Sequence, residues 1–266
     1  MEKKKKLLII IPAYNEEKTI TPVLEKLEQP EIAEIADVLV MNDASLDMTN
    51  WITKKRNHAV VTHVFNLGYG SGLQIGYKYA VRKGYQYVIQ MDADGQHDVC
   101  NIPKLYEALK TPDEKGEFPD IVLGSRFVEG SKEFSVSMAK KIAFVWFRFL
   151  IQLGTGQTIM DATTGLQGLN FRTVLFYSKY SNFDDKYPDA NMIMQMLLLG
   201  FHVKEIPAVM HQRTEGVSMH SGLKPFIYMF RMTISIFAVW IREKILKVDE
   251  KKTYDLEKHE KGTHEI

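Results

Sequence analysis

Three apolar runs in the first hundred residues each end in a loop that carries carboxylates, and no other feature constrains the fold of this chain as strongly. Leu7-Leu8-Ile9-Ile10-Ile11 breaks at Pro12-Ala13-Tyr14-Asn15-Glu16-Glu17, and Asp37-Val38-Leu39-Val40-Met41 breaks at Asn42-Asp43-Ala44-Ser45-Leu46-Asp47. Tyr87-Val88-Ile89-Gln90-Met91 breaks at Asp92-Ala93-Asp94-Gly95-Gln96-His97. Runs this short and apolar read as buried strands, and the segments between them carry a helical pattern. Strands alternating with helices predict an α/β fold with a β-α-β order. Open sheets of that kind bind ligands beyond the carboxyl ends of their strands, so the three acidic loops can converge on one pocket.

Strands are expected at 7–11, 38–41, 60–65, 87–91 and 121–123, helices at 16–28, 47–57, 71–83 and 101–110, and a polar linker at 111–119. Beyond 121 the pattern loosens into two long apolar helical stretches, 136–153 and 223–246, around a mixed segment with Asp161, Asp189 and Arg213. From Lys247 charges of both signs outnumber apolar groups, which predicts a solvated helix end or a charged tail over 247–266. With 266 residues, 45% of them hydrophobic, one enzyme-sized domain over 1–246 is expected. A formal net charge of +1 disfavours a nucleic-acid partner, and the single cysteine, Cys100, rules out an intramolecular disulfide. Lys3 to Lys6 precede Leu7 in the manner of a targeting signal, but the apolar run is too short for one and is read as the first strand.

Asp92 and Asp94 emerge together where a strand meets its loop. A turn at Ala93 lets both carboxylates swing toward one hard divalent cation, with Gln96 as a third oxygen ligand. A solvated turn would use the same residues. Asn66-Leu67-Gly68-Tyr69-Gly70-Ser71-Gly72 resembles a phosphate cradle only superficially: it lacks the Lys-Ser/Thr of a P-loop, and Gly70, Gly72 and Gly76 are spaced one residue too long for a dinucleotide fingerprint. A buried Asp43 requires a partner, either a ligand or a basic neighbour.

Taken in order, these blocks, with Gly124-Ser125-Arg126-Phe127, Asp161-Ala162-Thr163-Thr164-Gly165 and Arg213-Thr214-Glu215-Gly216-Val217-Ser218, resemble the signatures of family 2 GT-A glycosyltransferases, and among them the polyprenyl-phosphate sugar transferases. The likeness covers roughly residues 7 to 245 and implies a GT-A fold, a mostly parallel nucleotide-binding sheet flanked by helices with C-terminal amphipathic helices. It implies a nucleotide-sugar-binding half over 7–125 and an acceptor half over 126–246. By resemblance, Pro12, Tyr14 and Glu16 face the nucleoside, Asp43 the base or ribose, and Asp92, Ala93, Asp94 and Gln96 the diphosphate and a Mg²⁺ or Mn²⁺ ion. Arg126 and Arg213 suit a diphosphate or an acceptor phosphate, and Asp161 and Asp189 are the two candidates for an acceptor-side carboxylate, Asp161 being favoured. Family members often carry Lys where this chain has Tyr69, and an acidic residue where it has Asn191.

The resemblance implies inverting transfer of a sugar from a UDP-sugar or GDP-mannose to a polyprenyl phosphate. Extension of a lipid-linked saccharide or a cell-surface polysaccharide is the alternative, followed by a non-catalytic nucleotide-sugar-binding subunit. A sugar-phosphate nucleotidyltransferase would need a Gly-rich amino-terminal loop followed by Arg and Lys, which is lacking here. No stretch reaches the roughly 20 apolar residues of a membrane span. The two late apolar stretches, bordered by Lys140, Lys141, Arg148, Lys224, Arg231, Arg242, Lys244 and Lys247, instead fit interfacial helices on anionic lipid. That predicts a peripheral protein at the cytoplasmic, inner face of the cell membrane. Packing against a second copy of the chain, or against a small integral membrane protein, would use the same apolar faces.

Overall fold

The computed structural model describes residues 5–131, 138–212 and 224–248. The expected parallel core forms from β1 (Leu7–Ala13), β2 (Ala36–Asn42), β3 (Ala59–Thr62), β4 (Tyr87–Gln90) and β5 (Ile121–Ser125). Two further strands, β6 (Gln167–Asn170) and β7 (Val203–Pro207), complete a seven-stranded sheet in the order β3-β2-β1-β4-β6-β5-β7. All neighbours are parallel except β6, which runs backwards between β4 and β5. Its reversal matters for function, because the residues that precede β6, Asp161 to Leu166, arrive at the same sheet end as the residues that follow β4 and β5.

Successive residues of a strand point to opposite faces, and here both faces are covered. Leu8 and Ile10 join one core with Leu39, Met41 and Val88, whereas Leu7, Ile9 and Ile11 join another with Val40 and Ile89. The second core is roofed by α1 (Ile20–Leu27), a short α2 (Pro30–Ala33) and α5 (Asn101–Lys110). Against the first pack α4 (Tyr69–Lys83), α6 (Met138–Thr155), α7 (Phe171–Ser178), α8 (Ala190–Leu198) and α9 (Lys224–Trp240), while α3 (Thr49–Lys55) lies beside α1 and β3. A π-helical turn, Ile241–Ile245, prolongs α9.

Residues 111–119 form no helix or strand, as expected, and β3 stops three residues short of the expected 65. The mixed segment between the two apolar stretches turns out to be regular. Every residue of α8 from Ala190 to Leu197 is buried, so it has no polar face and no amphipathic period to betray it. Strand β6 is four residues long and contains Gly168, too little apolar character for a strand signal.

The two long apolar helices do divide into two faces. Ala143, Phe147, Leu150 and Ile151 of α6, with Met232, Ile236 and Val239 of α9, face the core. Ile142, Val145, Phe149 and Leu153, with Ile227, Phe230, Ile234 and Phe237, remain exposed. Trp146 Nε1 donates to Thr233 Oγ1 at 3.0 Å, joining the two helices beside that exposed apolar face.

Candidate functional site

The loops that follow β1 and β2 are laced together by side chains bonding to the opposite backbone. Asn15 N donates to Ser45 Oγ at 3.0 Å, Leu46 N to Asn15 Oδ1 at 2.8 Å, and Glu16 N to Thr49 Oγ1 at 2.8 Å. Asn15 (φ 55°) and Ala44 (φ 59°) both adopt left-handed backbone, strained for a residue other than glycine and held by this lacing. Pro12 is half-buried at the end of β1, and Tyr14 beyond it presents an exposed ring, free to meet a flat base. The Glu16 carboxylate accepts from Thr19 Oγ1 at 2.5 Å.

Asp43 is buried and has its partners within the protein. Leu67 N and Gly68 N each donate to its carboxylate at 2.8 Å, and His63 Nδ1 lies 2.7 Å from Oδ1. A basic neighbour was one of the two expected explanations for this residue, and His63 is that neighbour. Gly68, at φ 93°, makes the turn that leads from this contact into α4.

Beyond β4, Ala93 and Asp94 are buried and Asp92 is partly so. Asp94 Oδ1 accepts from Gln96 N at 3.0 Å, which closes the loop on itself. The loop is then stitched to the segment after β7: His211 N donates to Gln96 O at 2.8 Å, and His97 bridges Met210. Asp92, Asp94 and Gln96 supply only oxygen donors, the chemistry a hard divalent cation selects. They therefore fit such an ion. Asp113, Glu117 and His202 bring three ligand atoms within 4.8 Å of one another, but they lie where β5 and β7 begin, at the far end of the sheet from Asp92. Exposed groups gather in this way without an ion.

Before β6, Asp161 is fully buried and bound by Arg126. Arg126 Nε donates to Asp161 Oδ2 at 2.7 Å, Nη2 to Oδ1 at 2.6 Å, and the Arg126 backbone N to Oδ2 at 2.9 Å. Glu205 of β7 holds the Asp161 backbone in turn, accepting from Met160 N at 2.7 Å and Asp161 N at 2.8 Å. The guanidinium lies 4.9 Å from the Phe144 ring centroid, and its charge is felt by both Asp189 and Asp92.

Asp189 precedes α8 and accepts a hydrogen bond from Tyr228 of α9. Although part of the residue reaches solvent, the packing around its carboxyl pushes its pKa up to about 6, with Tyr228 and Arg126 opposing that rise and Asp161 and Asp92 adding to it. The Asn191 carboxamide donates to Asp184 Oδ2 and Ser235 Oγ, both at 2.9 Å. The structure thus brings Asp92, Arg126, Asp161 and Asp189 to one place. Arg213 lies outside the described residues.

Sequence reasoning did not find His63, His97, Glu205 or Tyr228, all of which hold a site residue. Only His97 had a local signal, its place five residues after Asp92; the others come from distant segments.

Residues 8–175 match the family described as Glycosyl transferase family 2. An undecaprenyl-phosphate mannosyltransferase of Micrococcus luteus is 28% identical over 225 residues, covering 82% of this chain and 88% of that protein. A polyprenol monophosphomannose synthase of Mycolicibacterium smegmatis is 27% identical over 240 residues, covering 85% and 84%. Among solved structures, glucosyl-3-phosphoglycerate synthase from Mycobacterium tuberculosis in complex with Mn²⁺ and UDP-glucose shares the fold, with a TM-score of 0.61 and 17% identity over 89% of this chain and 79% of that one. The architecture is the expected GT-A α/β fold, and with the match running from β1 through β6 and including the acidic loops, the chain belongs to glycosyl transferase family 2 and is a glycosyltransferase.

Proposed function

We propose that this glycosyltransferase moves a sugar, with inversion, from a UDP- or GDP-sugar to a polyprenyl phosphate at the cytoplasmic face of a membrane. One observation carries the reading: α9 presents an exposed apolar face outward and sends Tyr228 inward to Asp189. A lipid-linked acceptor calls for both a surface its chain can lie beside and an adjoining polar site for its phosphate. The names of the Micrococcus luteus and Mycolicibacterium smegmatis relatives support the same acceptor class.

In this reading residues 7–125 form the donor half and 126–246 the acceptor half. Pro12, Tyr14, Glu16 and Asp43 frame the nucleoside, and Asp92, Asp94 and Gln96 hold the diphosphate through Mg²⁺ or Mn²⁺. Such an ion, when bound, neutralises the departing diphosphate. Arg126, fixed and charge-balanced by Asp161, places a planar guanidinium beside the phosphates, a geometry that suits them. Asp161 therefore acts through Arg126, and Asp189 becomes the acceptor-side carboxylate. A phosphate acceptor is already anionic, so Asp189 orients it more than it deprotonates it.

Incubating the protein with UDP- and GDP-sugars and polyprenyl phosphate in anionic liposomes should yield a glycosylated lipid phosphate. Transfer only to water-soluble or preformed saccharides would overturn the proposed acceptor.

A further inference from the structure

The Asp92 carboxylate is gripped from three parts of the chain, and the donor site as described gives no reason for the grip. Tyr69, the first residue of α4, donates from its hydroxyl to Oδ1 at 3.0 Å. His97 Nε2 lies 3.1 Å from Oδ2, with the ring almost wholly enclosed at 2% side-chain exposure. A carboxylate oxygen accepts, so the ring donates through Nε2. From the third side Gly165 closes in: a Cβ there would stand 2.5 Å from Oδ2 and 3.1 Å from Cγ. The carboxylate has one orientation open to it.

We propose that Tyr69 and His97 are positioning residues, two side chains from separate segments that fix the orientation of the Asp92 carboxylate for a divalent cation. Groups that orient a metal-binding side chain commonly govern affinity nearly as strongly as the ligand itself.

Both donors are themselves anchored. Ser71 N donates to Asp185 O at 3.0 Å, and a Cβ at Gly70 would collide with the Asp184 and Asp185 backbone, so the start of α4 is docked hard against the loop before Asp189. The bridge from His97 to Met210 fixes the other donor.

The proposal rests on the metal-dependent reading of the donor site, and Mn²⁺ binding tests it without recourse to activity. Electron paramagnetic resonance titration of Mn²⁺, in the presence of UDP, should give a Kd about 10-fold weaker for Tyr69→Phe and for His97→Leu than for the wild type. His97→Gln, which keeps a donor, should restore much of the loss. Tyr69→Phe retains the ring and its packing, so its melting temperature should stay at the wild-type value and an unchanged Kd in this variant alone rejects the clamp. A wild-type protein that binds no Mn²⁺ rejects both the metal reading and the clamp. Equal Kd values in wild type and folded variants reject only the clamp.

Discussion

Asp161 and Asp189 are alike in sequence, each an aspartate in the mixed second half, and opposite in setting. Asp161 is enclosed and paired with Arg126, so Asp161→Asn strands a guanidinium in a largely buried place. Loss of one member of such a pair costs roughly 3 kcal/mol or more, which for a chain of this size lowers Tm by about 6–12 °C. Asp189→Asn should do the reverse. Its folded pKa of about 6 lies above the ordinary 3.8, so the unfolded chain releases this proton more readily and the native state loses stability as pH rises from about 4 through about 6. The variant escapes that loss: its Tm should match the wild type near pH 4 and exceed it by a few degrees at pH 7.5. Its turnover should fall by about 10²-fold with donor KM nearly unchanged. Thermal scans across pH and steady-state kinetics check both, and a Tm gap independent of pH would contradict the assignment.

At the level of elements, the informative pair is α6 and α9, whose exposed faces carry side chains as apolar as those they bury. A face of this kind on lipid gains roughly 25 cal/mol per Å² removed from water, and each nearby basic residue adds about 1 kcal/mol on an anionic surface. The choice of charge to reverse matters. Arg242 Nε donates to Glu243 Oε1 at 2.6 Å, and Glu243 is buried, so altering Arg242 would unsettle the fold. Arg231 and Lys244 are exposed and are the better sites. No helix among the described residues is long and apolar enough to cross a membrane. The protein should therefore sediment with anionic liposomes and partly release at high salt, and Arg231→Glu with Lys244→Glu should weaken binding about 10-fold or more without lowering Tm. Indifference to liposomes, with stable self-association or capture by a small integral membrane protein through the same helices, would replace the lipid by that partner.

Across the whole molecule, only one end of the sheet carries the proposed chemistry. Chelation should abolish transfer and added Mn²⁺ or Mg²⁺ should restore it; Asp94→Asn should lose activity with nearly unchanged unfolding, whereas Asp113→Asn at the far end should leave transfer intact. Full activity in chelator would overturn the metal assignment. The sheet's parallel half was legible because Leu7–Ile11, Val38–Met41 and Tyr87–Met91 are local patterns that end in polar loops. What escaped was set by distance. The enclosed helix α8 has no polar face, the reversed strand β6 has little side chain, and Glu205 meets Asp161 across 44 positions of sequence. Asp161 was a candidate by resemblance alone, and its engagement by Arg126 depends on β6 running backwards, which no local pattern encodes.

Tyr228 and the outward side chains of Ile227, Phe230 and Ile234 stand on opposite sides of one helix, and a helix with its side chains is only about 10–12 Å across. If the outer side rests on lipid, Asp189 stands about one helix width above the hydrocarbon. A phosphate at headgroup height would then meet the carboxylate while its polyprenyl chain stayed dissolved in the bilayer, and the enzyme would never have to extract its substrate.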